Sequence, residues 1–207
     1  MNEPEKKADL TRARILQAAF DEIHTHGYQG MRVDAILSKH GLTKGALYHH
    51  FPNKLSLGYA VVDEFLRARF RPVVELLETE ADPIDALCQV LTTLNQAMSD
   101  SDLERGCPVN NLTQEMAGLD EGFKQRLHDI YEEKINVIAD ALRRGQHRGI
   151  VRNDVDVVSA ATFIISALQG IRGITKCLGK RGLLRSLGQE LCLYLQSLRA
   201  EQDRDLR

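Results

Sequence analysis

Residues 33–54, VDAILSKHGLTKGALYHHFPNK, constrain this chain more than any other stretch. Val33, Ile36 and Leu37 share one face at the 3.6-residue period, so the segment opens as a short amphipathic helix. Gly41 supplies a backbone without a Cβ for a sharp turn, and Leu42 plugs the space between two helices. Thr43 stands where an N-cap belongs, its hydroxyl placed to accept an N–H of the next turn. Ala46 and Leu47 then face inward, which leaves Lys44, Gly45, Tyr48 and His49 facing out. Pro52 and Asn53 close the second helix and cap a third. Two short helices joined by a glycine turn predict a helix-turn-helix unit, whose second helix is shaped to enter a DNA major groove.

The rest of the chain also reads as helix. A polar, frayed lead over residues 1–8 precedes a helix over 9–26, with Ile15, Leu16, Ala19, Phe20 and Ile23 in one stripe and Gly27 ending it. Residues 54–80 keep one period and predict a single long helix, kinked at Pro72. Pro83 opens a helix to about residue 98, SDSDLERG follows as a loop or a frayed turn, and a short helix covers 106–117. Asp120 caps a helix to about residue 145, and Gly149 and Asn153 mark the loop after it. Residues 154–178 are apolar on nearly every side, and 183–198 add a second leucine-rich stripe. A helix apolar all round must be covered all round. The small residues Ser159, Ala160, Ala167, Gly170 and Gly173 would admit a close neighbour. These two helices are therefore expected to pair with their copies as a four-helix bundle, the alternative being the internal core of a monomer. The fold class expected is all-α with about nine helices: a three-helix head over 9–55 and a helical body over 56–200.

Charge sharpens this division. The 207 residues carry a net charge of -2, yet residues 1–54 hold eight Lys and Arg against six acids, and five of the seven histidines. A mildly basic head on a mildly acidic body suits a DNA reader. The charged start MNEPEKKADL lacks the apolar run of a secretion signal. The nearest approach to a membrane span, 155–171, is interrupted by Asp156, Ser159, Thr162, Ser166 and Gln169 and reads as a buried helix. No membrane association is expected. The four cysteines, at 88, 107, 177 and 192, form no CxxC pair and read as free thiols of a cytoplasmic chain. His24 with His26, and His49 with His50, share no helix face, so neither a metal nor another cofactor is expected. No nucleophile elbow, phosphate loop or dinucleotide fingerprint is present, and an enzyme is not expected.

The run GLTKGALYHHFPNK resembles the operator-reading segment of tetracycline-repressor-like (TetR) regulators, and the resemblance spans about residues 9–58. Its specific part is Gly-x-Thr, Leu-Tyr-x-x-Phe and Asn-Lys at this spacing. Leu37, His40 and Leu55 depart from the usual pattern, none of them on the outward face. The resemblance implies that Arg32, Thr43, Lys44, Gly45, Tyr48, His49, His50 and Lys54 line a double-stranded DNA operator. Physical roles follow: Lys44 reaches guanine edges or a phosphate, Tyr48 offers a ring to a thymine methyl, and the histidines donate to acceptors. Lys54 and Arg32 are phosphate candidates. Each residue taken singly is equally a solvated side chain; the set on one short segment carries the reading.

In the body, an unknown small-molecule effector would lie among helices. Phe65, Asn110, Asn111, Gln114, Phe123, Tyr131, Phe163 and Gln169 are candidate lining residues, each equally a core or surface residue. Cys107 precedes Pro108 at a predicted helix start, where the dipole favours a thiolate. It reads either as an oxidant- or electrophile-sensing thiol, as in some members of the family, or as an inert small residue. The function expected is a homodimeric regulator, a repressor with an activator as the alternative, whose heads sit about one helical turn apart on a near-palindromic site. An effector would act on head separation through the Pro72 helix. A helical enzyme or carrier and a dimeric scaffold are the rival classes.

Overall fold

A computed structural model describes residues 3–201, with side chains from Asp9 onward. In order, the helices are α1 (Glu3–Gly30), α2 (Val33–His40), α3 (Lys44–His50), α4 (Lys54–Ala60), α5 (Arg71–Thr79), α6 (Pro83–Ala97), α7 (Asp100–Arg105), α8 (Pro108–Met116), α9 (Glu121–His147), α10 (Val157–Leu178) and α11 (Arg181–Ser197). A π-helical segment, Val61–Leu66, continues α4. Of the polar lead, Met1 and Asn2 lie outside the described residues, and helix has already begun at Glu3. Pro4 is no obstacle there, because a first-turn N–H has no helical acceptor to lose.

The chain divides into two compact units. The first holds the residues up to Arg69 together with Pro108–Ile130; the second holds Phe70–Cys107 and the residues from Tyr131 onward. The core of the first unit includes Ile15, Ala19, Leu47, Phe51, Leu57, Val61 and Phe123. Phe123 is fully buried, with its ring 4.6 Å from that of Tyr28 and 5.1 Å from that of Tyr59. Asp120 caps α9 by accepting from the Phe123 amide at 2.8 Å, and the same oxygen accepts the Tyr59 hydroxyl at 2.7 Å. In the second unit, Leu77, Ile84, Leu87, Leu142, Ala161, Ile164 and Leu195 bring α5, α6, α9, α10 and α11 into one apolar core.

Three expectations are corrected. Residues 54–80 do not form one helix kinked at Pro72. The π-helical turn re-phases the chain so that Val61, Val62 and Leu66 are all buried, and α5 starts afresh at Arg71. Pro72 lies in its first turn, where proline costs no hydrogen bond. The SDSDLERG stretch is neither a loop nor a frayed turn but a capped helix. Ser99 accepts from the Asp102 amide while the Asp102 side chain accepts from Ser99, a capping box that nucleates α7. Lastly, Cys88 and Cys192 are joined as a disulfide, with Cα atoms 5.5 Å apart. The packing of α6 beside α11 unites them across 104 positions of sequence, and Cys107 and Cys177 stay free.

Candidate nucleic-acid interface

The reading helix is held from beneath and capped at its start. Thr43 Oγ1 accepts the Ala46 amide at 3.1 Å. Gly41, at φ 60, ends α2 with its amide bonded to the Leu37 carbonyl. Leu47 and Phe51 are buried, and the Arg12 guanidinium lies 4.9 Å from the centre of the Phe51 ring while also bonding Glu64. A helix this short has little stability of its own, so this tertiary packing fixes its orientation.

Its other side is open. Thr43, Lys44, Gly45, Tyr48 and His49 are exposed, as is Arg32 at the N-cap of α2. Tyr48 leaves 48% of its surface uncovered, a large share for an aromatic residue. A Cβ on Gly45 would meet nothing within 4 Å, so its missing side chain serves no packing inside the chain. Space there is free for a DNA backbone. Lys44 Nζ pairs with Asp34 at 3.0 Å, and that carboxylate holds the lysine above its ordinary proton affinity. His50 is half-buried, and its ring packs 5.2 Å from that of His49. Partial burial, then His49 and Arg12, hold His50 below the usual histidine range, so it presents a neutral imidazole near pH 7.

Lys54 stands apart from this group. Its ammonium donates to the Gln29 carbonyl at 3.0 Å and lies 5.1 Å from the centre of the Tyr28 ring. It ties α4 to the end of α1. Asn53 and Ser56 form a capping box at the same place, supplying what the acidic residue missing at Leu55 would have given.

The corner between α1 and α2 rests on Glu115, which the sequence does not single out. Gly27 adopts φ 76 and ψ 167, which breaks the helical ladder inside α1. The Tyr28 and Gln29 amides beyond the break donate to Glu115 of α8, at 2.9 and 2.8 Å. One carboxylate thus caps the last turn of α1 from a different helix.

The expected effector residues fall in both units. Phe65, Asn110, Asn111, Gln114 and Phe123 belong to the first; Cys107, Tyr131, Phe163 and Gln169 belong to the second. Phe65 stacks on Phe20 at 4.5 Å, and Phe123 is the packed core residue described above. On α8, Asn110 and Asn111 are half-buried and Gln114 is exposed. Phe163 is half exposed, its ring 4.7 Å from that of Tyr194. Cys107 is buried, and Gln169 is half-buried.

Comparison with known proteins bears on both parts of the chain. Residues 15–60 match the family described as bacterial regulatory proteins, tetR family, and residues 83–189 match the tetracyclin repressor-like C-terminal domain. An uncharacterised HTH-type transcriptional regulator in the lacX 3' region of Lactococcus lactis is 27% identical over 161 residues, 77% of this chain and 80% of that protein. The HTH-type transcriptional repressor DhaR of a Mycobacterium species is 26% identical over 145 residues, 70% of this chain and 71% of its own. The crystal structure of a TetR transcriptional regulator from Chloroflexus aurantiacus has the same fold, with a TM-score of 0.82 at 24% identity over 95% of this chain and 100% of that one.

Proposed function

Because the chain belongs to the tetracycline-repressor-like (TetR) family of bacterial transcriptional regulators, we propose that it is a repressor released from a near-palindromic operator by a small-molecule effector. The family binds DNA operators as homodimers and its members are not enzymes. The observation that carries the reading is the outer side of α3, where Lys44, Gly45, Tyr48 and His49 are exposed on a helix locked by Leu47 and Phe51. In this reading residues 9–55 are the DNA-reading domain and 56–200 the effector and pairing domain of a cytoplasmic protein. Arg32, Thr43 and Lys54 position the phosphate backbone, while Lys44, Tyr48, His49 and His50 face base edges.

Pairing runs through 154–178 and 183–198. Val158, Phe163, Ile174, Leu178 and Leu193 are exposed there, and a Cβ at Gly170 or Gly173 would meet nothing within 4 Å. An apolar face rich in small residues suits a second copy related by two-fold symmetry. Two heads so related read half-sites about 34–36 Å apart, or a multiple of that spacing.

Release works through α8. The helix that carries Asn110, Asn111 and Gln114 also carries Glu115, which caps the corner of the DNA-reading head. An effector that favours a displaced α8 withdraws that cap and shifts the population away from the operator-competent head. The test is a gel shift on the DNA flanking its own gene. Binding that weakens steeply with salt and is lost in Tyr48→Ala supports the reading. Equal affinity for random DNA overturns it.

A further inference from the structure

A covalent bond joins α6 to α11, and the regulator reading puts it in a compartment that opposes it. Bacterial DNA lies in the reducing cytoplasm, where disulfides are rare and those that form are mostly transient or redox-sensing. Cys88 and Cys192 are each half-buried, so neither is sealed in the core. The helix pair also has support besides the bond. Leu87 on α6 and Leu195 on α11 belong to one buried apolar cluster. A chain of 207 residues buries enough apolar surface to fold without a staple.

Two polar clamps hold the same helices together at their ends. Arg181, at the start of α11, donates to the Met98 carbonyl just past α6 at 2.8 Å and to the Asp100 carboxylate at 2.6 Å. Arg199, beyond the other end of α11, donates to Asp82 at 2.6 Å and also to Asp85, where α6 begins. With both ends held, the two sulfurs stay adjacent when the bond opens, and closing it again orders little chain. The surroundings also distinguish one sulfur. Gln196 accepts from Arg199 Nε at 2.6 Å through its carbonyl oxygen, which leaves its amide nitrogen toward Cys88 Sγ, 3.8 Å away. A donor aimed at a sulfur favours the thiolate, its reactive form.

We propose that Cys88 and Cys192 are a reversible redox pair that responds to hydroperoxides, with Cys88 as nucleophile, Cys192 as resolving thiol and Gln196 as positioning residue. The Cys88 thiolate attacks one peroxide oxygen, the O–O bond breaks, and the departing alkoxide takes up a proton. Cys88 is then a sulfenic acid. The Cys192 sulfur attacks that sulfur and loses its proton, and the sulfenic oxygen leaves as water. In sum the two thiols lose two electrons and two protons, and ROOH becomes ROH and water. Two equivalents of a small thiol such as glutathione reverse the bond by exchange and leave as their own disulfide. The bond decides whether α11, one of the two helices assigned to pairing, can shift along α6. The inference rests on the regulator reading for its compartment.

The experiment uses the full-length protein, reduced and freed of reductant, with hydrogen peroxide as oxidant and peptide mass mapping as readout. Peroxide is expected to produce the linked 88–192 peptide and to slow amide exchange along α11; dithiothreitol reverses both. In a glutathione buffer set to the cytoplasmic poise, both thiols are expected to be reduced while circular dichroism still shows a folded chain. Dimedone, which traps sulfenic acids, is expected to label Cys88 in Cys192→Ser and not to label Cys192 in Cys88→Ser. Cys88 is expected to outrun Cys177, the exposed free thiol, despite its poorer access. Gln196→Leu is expected to move the alkylation of reduced Cys88 to higher pH. The proposal is overturned if the bond survives the glutathione buffer, as a structural disulfide would, or if peroxide fails to form it. It is equally overturned if dimedone marks Cys192 in place of Cys88, if Cys177 reacts first, or if Gln196→Leu leaves the pH profile of Cys88 where it was. Operator binding by the reduced protein tests the regulator reading by itself, so the two failures are distinguishable.

Discussion

Replacing Glu115 by alanine removes one side chain from α8 and leaves two backbone amides of α1 without acceptors. In the native chain the Tyr28 and Gln29 N–H groups donate to the two Glu115 oxygens at 2.9 and 2.8 Å. Gly27, at φ 76 and ψ 167, has already interrupted the helix, so no carbonyl four residues back can take over. Hydrogen bonds to a charged group contribute about 1.5–3 kcal/mol each, and the exposed side of this corner places both at the low end or below. The pair is thus worth about 2–3 kcal/mol, which for a chain of this length is about 4–12 °C of melting temperature. Glu115→Gln keeps one acceptor and should lose about half as much. Amide hydrogen exchange at Tyr28 and Gln29 should quicken in both variants. Operator affinity should fall about fivefold if one kcal/mol of the loss is felt by the DNA-competent head. Gly27→Ala should mimic the change. A side chain there adopts a backbone region that costs about 1–3 kcal/mol, and its Cβ would lie within 2.8 Å of a Glu115 oxygen. The double variant should then lose clearly less than the sum of the two. Unchanged melting, unchanged exchange at the two amides and full operator affinity in Glu115→Ala would refute the reasoning.

Four other outcomes follow from the geometry. Asp34→Asn frees Lys44 from its exposed ion pair and should tighten operator binding, whereas Lys44→Ala should weaken it and reduce the salt slope by about one in a gel-shift titration. Reducing the Cys88–Cys192 disulfide should cost about 2–4 kcal/mol, read as a lower melting temperature in dithiothreitol that the Cys88→Ser variant does not show. Phe163→Glu combined with Ile174→Glu puts two carboxylates on the exposed apolar face of α10 and should give a monomer by light scattering, with operator affinity lost. Asp120 is held below the usual carboxylate range, chiefly by the Tyr59 hydroxyl and then by the Phe123 amide. Its contribution is therefore complete above the unfolded carboxylate value and is lost as pH falls through the depressed one. Urea melts between pH 7 and pH 3 should show a shallower acid decline in Asp120→Asn.

The head was legible because its signals are local. Gly41, Thr43 and Asn53 each act on residues within four positions, and each takes the cap or turn expected of it. The leucine-rich stripes gave the later helices for the same reason. Pro72 misled because the apolar period runs unbroken through residues 54–80. A π-helical turn re-phases side chains without leaving any mark in composition, and proline inside a helix and proline in its first turn look alike until the start at Arg71 is known. The disulfide was hidden because it depends on α6 lying beside α11, a fact of packing that cysteine spacing does not encode.

The residues that the sequence missed share a physical character. Glu115, Lys134 and Arg172 are charged residues on helices, and at such positions the ordinary reading is a solvated face. What separates them from Glu121 or Lys124, which pair with each other at 3.2 Å on the surface, is where their heads end up. Glu115 spends its charge on amides 86 and 87 positions away, so no periodicity points to it. Lys134 and Arg172 are half-buried on helices whose hydrophobic stripes are otherwise regular, and a stripe tolerates one long cationic stem among leucines because its methylenes pack like theirs. Binary patterning therefore finds the helices and passes over the charges that govern them. In this chain the clearest case is the capped corner of the DNA-reading head. There one half-buried carboxylate serves two amides at once, so losing it changes the stability of the surrounding structure. A surface ion pair such as Lys124–Glu121 could not serve as a switch, because solvent replaces either partner at almost no cost.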